Sequence, residues 1–265
     1  MRAALALLPV LALLACAGGD AAASPSAAAG PARPVLVELF TSQGCSSCPP
    51  VDRALAELAA QPLAERRVIP NVIPLAFHVD YWNYIGWTDP FSSADWSARQ
   101  RRYGTAFGGG RIYTPELVVA GAADCVGTDN SRLRKLVAAA AAEPESATIE
   151  LVPAPRAGGK WPLTVRAQRQ PQPGAPAAEV LVAIYENGLE TPVGAGENAH
   201  RKLHNDRVVR RLVRAATLPA GGGSAEQRLE LALDPAWGKD VGLVAFVQEP
   251  STLRVLAVTE AAASR

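Results

Sequence analysis

Two cysteines two residues apart, Cys45 and Cys48, lie in the stretch Phe40-Thr41-Ser42-Gln43-Gly44-Cys45-Ser46-Ser47-Cys48-Pro49-Pro50-Val51-Asp52. Thiols at that spacing can close a disulfide, exchange it with another thiol, or offer two thiolates to a soft metal. The apolar run Val35 to Phe40 precedes them, and Val51, Leu55 and Leu58 follow at helical spacing, so the pair falls at a strand-to-helix junction. In that context Cys-x-x-Cys reads as a redox site. Two other readings compete. Half of a four-ligand zinc site would need a second close Cys or His pair, and Cys125 and His78 each stand alone. A disulfide without turnover is the other.

On the redox reading, Cys45 precedes or opens the helix, where the positive end of the dipole and free backbone donors lower a thiol pKa, which makes it the nucleophile. Cys48, one turn in, resolves the mixed disulfide. Asp52 lies one turn after Cys48 and is placed to accept or relay its proton, although an acid there also serves simply to stabilise the helix end. His78, at the end of the next apolar run, could join Cys45 and Cys48 in a copper site, the alternative metal reading. A lone strand-end histidine is more commonly just hydrogen-bonded. His200-x-x-x-His204 has helical ligand spacing, but Arg201, Lys202 and Arg207 would repel a cation, so it reads as surface. No Gly-rich phosphate loop, nucleophile elbow or zinc-protease motif appears, and no cofactor is expected.

The elements that must hold these residues follow in order. Val35 to Phe40 predicts a strand, Thr41 to Gly44 a loop, and Pro49 and Pro50 a first helical turn, where missing donors are tolerated. That helix runs to about Ala60 and is ended by Pro62. Val72 to Val79 is a second strand, with Pro74 limiting two-sided pairing to its later part. Strand, helix and strand in this order predict a βαβ unit, the opening of a thioredoxin-like domain. The aromatic stretch Asp80 to Phe91 either caps the core or lines a groove. A helix over Asp95 to Phe107 carries Arg99, Arg101 and Arg102 on a solvated face. Thr114-Pro115 opens an apolar strand at the place where thioredoxin-like proteins carry a cis-proline, and both residues would then face the dithiol. Asp129 caps a helix through Ala142, and Glu143-Pro144-Glu145 marks a boundary. Beyond it, six short β-rich runs between Thr148 and Thr259 suggest an antiparallel sandwich. The expected fold is therefore an α/β thioredoxin-like domain over 34–145 followed by an all-β, sandwich-like domain over 146–265.

With 265 residues, 49% hydrophobic, the chain has room for about two domains. A net charge of +1 argues against a nucleic-acid partner. Arg2 and the apolar run Ala3 to Ala15 have the form of a signal peptide over 1–23, too short to span a bilayer. Leu13-Leu14-Ala15-Cys16 resembles a bacterial lipobox, in which Cys16 is lipidated and 24–33 forms a flexible tether; ordinary cleavage near Ala21 to Ala23 is the alternative. Either route exports the protein to the periplasm or another extracytoplasmic space, with membrane contact only through an N-terminal lipid. In that compartment Cys125 is either buried and inert or an intermolecular thiol.

Val37 to Pro50, His78-Val79-Asp80-Tyr81-Trp82, Gly86-Trp87, Asp89-Pro90-Phe91, Tyr113-Thr114-Pro115, Gly196-Glu197-Asn198-Ala199 and Val208-Val209-Arg210 resemble the bacterial secreted thioredoxin-like family catalogued as domain of unknown function twelve-twenty-three. The resemblance implies a thioredoxin-like fold, a following β-rich domain and export, and leaves the activity open. Cys125 and His200 depart from its pattern. Taken with the dithiol, it points to an exported thiol-disulfide oxidoreductase whose partners are protein thiols or disulfides.

Overall fold

The computed structural model describes residues 33–61 and 71–261. The expected leader, Cys16, most of the tether, and Pro62 lie outside the described residues. Within them, β1 (Val35–Thr41), α1 (Pro49–Ala60), β2 (Val72–His78), α2 (Ala94–Ala106), β3 (Glu116–Val119), β4 (Ala123–Val126) and α3 (Asn130–Ala142) come first. Strands β5 (Ala147–Pro153), β6 (Lys160–Arg169), β7 (Ala178–Glu186), β8 (Leu189–Pro192), β9 (Lys202–Asn205), β10 (Val208–Leu218), β11 (Gly223–Ala232), β12 (Val241–Gln248) and β13 (Val255–Ala261) follow.

Local signals account for the early elements. Pro49 and Pro50 occupy the first turn of α1, Ser93 caps α2 by accepting from the Asp95 amide, and Asp129 caps α3 by accepting from the Arg132 amide. Strands β1 and β2 pair in parallel with α1 between them, and both are buried along their whole length.

The expected fold class is overturned. A single eight-stranded mixed sheet runs in the order β13-β12-β7-β10-β2-β1-β3-β4 and crosses the expected boundary at 145/146 without interruption. The join is β10 beside β2, with Val208 opposite Ala76 in parallel register and the Ala76 amide donating to the Arg207 carbonyl at 2.8 Å. The fold is thus mostly β around one large mixed sheet, with three α-helices among the described residues, and not an α/β thioredoxin-like domain followed by a separate sandwich. The described residues all fall within one compact unit. The physical reason is a shared core: Phe40, Ile73, Phe77 and Trp96 from the first half pack with Leu181, Tyr185, Val244, Phe246 and Val258 from the second. The three-stranded sheet β11-β6-β5 lies over the later strands through Trp161, Val165, Val182 and Ala245, while α1 and α3 cover the other end through Val51, Leu55, Leu133 and Val137.

Arg99 corrects a second expectation. It does not belong to a solvated face: it is buried, with Nε 2.5 Å from Glu38 Oε2 and Nη2 2.9 Å from Glu38 Oε1. Tyr103 donates to the same carboxylate, and Gln248 of β12 meets both Arg99 and Tyr103. A charge cluster of this kind ties α2 to strands from both halves of the chain. Arg101 and Arg102 are exposed, as expected.

Candidate functional site: a covered disulfide

Cys45 and Cys48 are joined as a disulfide between the end of β1 and the start of α1. Successive turns shape the loop, with the Cys45 amide donating to Ser42 O and the Cys48 amide to Cys45 O, both at 3.2 Å. Cys48 is the cap of α1 rather than one turn inside it, and the amides of Val51 and Asp52 both donate to its carbonyl. Ser47 Oγ lies 3.3 Å from Cys45 Sγ. Ser46 and Ser47 are exposed, but Cys45 is only 1% exposed and Cys48 not at all.

A set of buried polar groups adjoins the disulfide loop. Asp52 is buried, and that burial pushes its carboxyl up to about 6 against the lowering pull of His78. His78 faces Thr41 across the β1–β2 register. Its Nδ1 lies 2.7 Å from Asp89 Oδ2, which also accepts the Gln43 amide at 2.8 Å. Burial alone would depress the imidazole, but the charge and hydrogen bond of Asp89, with Asp52 beyond, outweigh it and raise His78. Burial likewise opposes ionisation of Asp89, yet His78 and the amides of Gln43 and Phe91 hold it below the ordinary carboxylate range. Among the described residues Thr41 Oγ1, Asp52 Oδ1 and His78 Nε2 have no hydrogen-bond partner in the protein. Sequence reading placed Asp52 and His78 here, and the structure adds Asp89 and Thr41. Asp89 had a signal in the Asp89-Pro90-Phe91 motif, although nothing there assigned it to His78.

Thr114 and Pro115 reach the same region through intermediaries. The Thr114–Pro115 peptide is cis. Trp82 donates from Nε1 to Thr114 Oγ1 at 2.7 Å, and its Cβ lies 3.1 Å from where a side chain on Gly44 would begin. Gly127 is wedged so tightly that an added Cβ would sit 2.8 Å from Val51 Cγ1 and 3.0 Å from Pro115 Cβ, so the cis-proline loop and α1 close around it. Beside them Glu116 is buried, which lifts its carboxyl to about 7. The aromatic stretch therefore serves the site, since Trp87 also donates to Gln43 Oε1 at 3.3 Å.

Contacts from far along the chain complete it. Asn198 Nδ2 donates at 2.9 Å to the carbonyls of both Gln43 and Cys45, Glu197 Oε2 accepts the Ser46 amide at 2.8 Å, and Gln43 Nε2 donates to Asn205 Oδ1 at 2.9 Å. Gly196 to Ala199 stood out in the sequence without any role. The role became visible only once β8 and β9 had folded as a hairpin over the disulfide loop. His200 and His204 are exposed on that hairpin rather than on a helix, and His204 pairs with Asp206. Cys125 is buried with its thiol pushed up to about 11, which suits an inert side chain. Among the described residues no three His, Cys, Asp or Glu side chains group as a metal site.

Fold and site together define a β-rich protein built on one mixed sheet, with a Cys-x-x-Cys disulfide at a strand-to-helix junction. The chain belongs to the family described as protein of unknown function (DUF1223), which matches residues 36–248. It is similar to a crystal structure of an Agrobacterium tumefaciens protein solved as a structural-genomics target, with 25% identity, 89% of this chain and 96% of that one covered, and a TM-score of 0.66. It also shares its fold with HBP35 of Porphyromonas gingivalis, at 16% identity, 88% and 76% coverage, and a TM-score of 0.59. No curated protein matches.

Proposed function

We propose that this chain is an exported thiol-disulfide oxidoreductase acting through Cys45 and Cys48. The observation that carries the reading is Asp52. It is a buried carboxyl whose pKa of about 6 places it to exchange a proton near neutrality, one turn after Cys48. As oxidant of the partner's thiols, the Cys45–Cys48 bond breaks under attack by a partner thiolate, a mixed disulfide forms on Cys45, and Cys48 leaves as a thiolate that takes a proton from Asp52. A second partner thiolate then releases Cys45. Two electrons pass from the partner dithiol, which becomes the disulfide. The reverse sequence reduces a partner disulfide, with Asp52 receiving the proton of Cys48. Protein thiols or disulfides are the partners, and no bound cofactor takes part. The amino-terminal apolar run and the Leu13-Leu14-Ala15-Cys16 box support export with a lipid on Cys16.

Trapping with Cys48→Ser tests the reading. Mixed disulfides should accumulate on Cys45 in extracts of the exported fraction and disappear in the Cys45→Ser, Cys48→Ser double variant. An oxidised wild-type protein that resists exchange, with a potential below about −300 mV, would instead mark a structural disulfide.

A further inference from the structure

The loop between β8 and β9 does more than close a hairpin. Asn198 is fully buried, its carboxamide held by Arg201 Nη1 at 2.7 Å while its Nδ2 serves the carbonyls of Gln43 and Cys45. Glu197 takes the Ser46 amide, and its carboxyl is lowered by the hydroxyl and amide of that serine. Gly196 has φ +76° and passes so close to the aromatic stretch that an added Cβ would meet Ile85 Cδ1 at 2.9 Å. The loop is therefore seated against both the disulfide loop and the aromatic stretch, and the two cysteines are closed to solvent.

Its contacts with the disulfide loop are those an extended peptide main chain makes: donors to two carbonyls and an acceptor for one amide. We propose that Glu197 and Asn198 are specificity-determining residues that occupy the positions a partner's backbone must take over, so that the dithiol exchanges with extended polypeptide segments and excludes small thiols. This rests on the redox reading above. A partner dithiol that displaces the loop supplies two electrons, leaves as its own disulfide, and breaks the Cys45–Cys48 bond. The thiolate then formed on Cys45 stands next to Ser46, whose amide Glu197 holds, and the two negative charges disfavour return of the loop until the site is reoxidised.

Reduction of the oxidised full chain is timed with dithiothreitol and with an unstructured ten-residue peptide carrying two cysteines, at equal thiol concentration. The peptide should react at least about tenfold faster with the wild type, a difference of about 1.4 kcal/mol in barrier. Asn198→Ala should accelerate dithiothreitol by about tenfold and narrow that gap, and the exposed change Glu197→Ala, which removes the acceptor of the Ser46 amide, should act in the same direction with the fold undisturbed. Equal dithiothreitol rates in the wild type and in folded Asn198→Ala or Glu197→Ala protein would overturn the proposal, as would a wild type that does not distinguish the two reductants. If the gap and its narrowing are seen but the reduced protein passes no electrons to a second disulfide, the covering role stands and the oxidoreductase reading falls.

Discussion

His78 Nδ1 lies 2.7 Å from Asp89 Oδ2, with neither side chain exposed, and the charges of this pair act on Asp52. One carboxylate is held ionised and the other is pushed toward neutrality by its surroundings.

The first prediction concerns Asp52. Its folded pKa of about 6 stands above its ordinary 3.8, so its ionisation costs stability, with no cost below about pH 4 and the full cost above about pH 6. Asp52→Asn should therefore stabilise the oxidised protein at pH 8 by on the order of 2–3 kcal/mol and by much less at pH 4. The same variant should slow thiol-disulfide exchange. Chemical denaturation at the two pH values, paired with exchange kinetics, checks both. Equal stabilisation at each pH would contradict the assignment.

His78 and Asp89 oppose that trend. The raised imidazole contributes stability that is fully present below about 6.5 and lost as pH rises through its folded value; the lowered carboxyl contributes above about 3.8 and loses it as pH falls. His78→Gln should cost about 3 kcal/mol by leaving Asp89 buried without its cation. It should also move the Asp52 titration above 6, because the His78 charge holds that carboxyl down. Carbon-detected NMR titration of Asp52 reads the shift directly, and an unmoved titration would remove His78 from the site.

Glu38 and Arg99 offer a test of the sheet's integration. Arg99→Met alone leaves the buried Glu38 carboxylate with the Tyr103 hydroxyl but without its cation and should destabilise by about 3–5 kcal/mol, whereas Glu38→Leu with Arg99→Met should recover much of that loss. A double-mutant cycle by urea unfolding measures the coupling. Additive losses would mean that the pair is not energetically linked.

The shared core predicts the behaviour of a fragment. Residues 33–145 alone would expose the faces of Phe40, Ile73 and Phe77 that pack against Leu181, Tyr185 and Phe246. Such a fragment should lack the near-ultraviolet circular dichroism of the intact chain and bind a hydrophobic dye. A cooperative thermal transition in the fragment would show that the first half stands alone.

Local chemistry was legible in the sequence. Cys45 and Cys48 at the strand-to-helix junction, the prolines of the first helical turn, Asp52 one turn on, the cap Asp129, and most strands follow from spacing, backbone restriction and side-chain capping, which act over a few residues. What the tertiary structure alone decided acts over much greater separations. That β10 docks on β2, that Arg99 turns inward to Glu38, and that Asn198 reaches Cys45 across 153 residues depend on which apolar faces and unpaired backbone groups meet when the core closes. Periodicity reports that a face is apolar but not which partner covers it, so an α/β segment and a β-rich segment read apart share one eight-stranded mixed sheet.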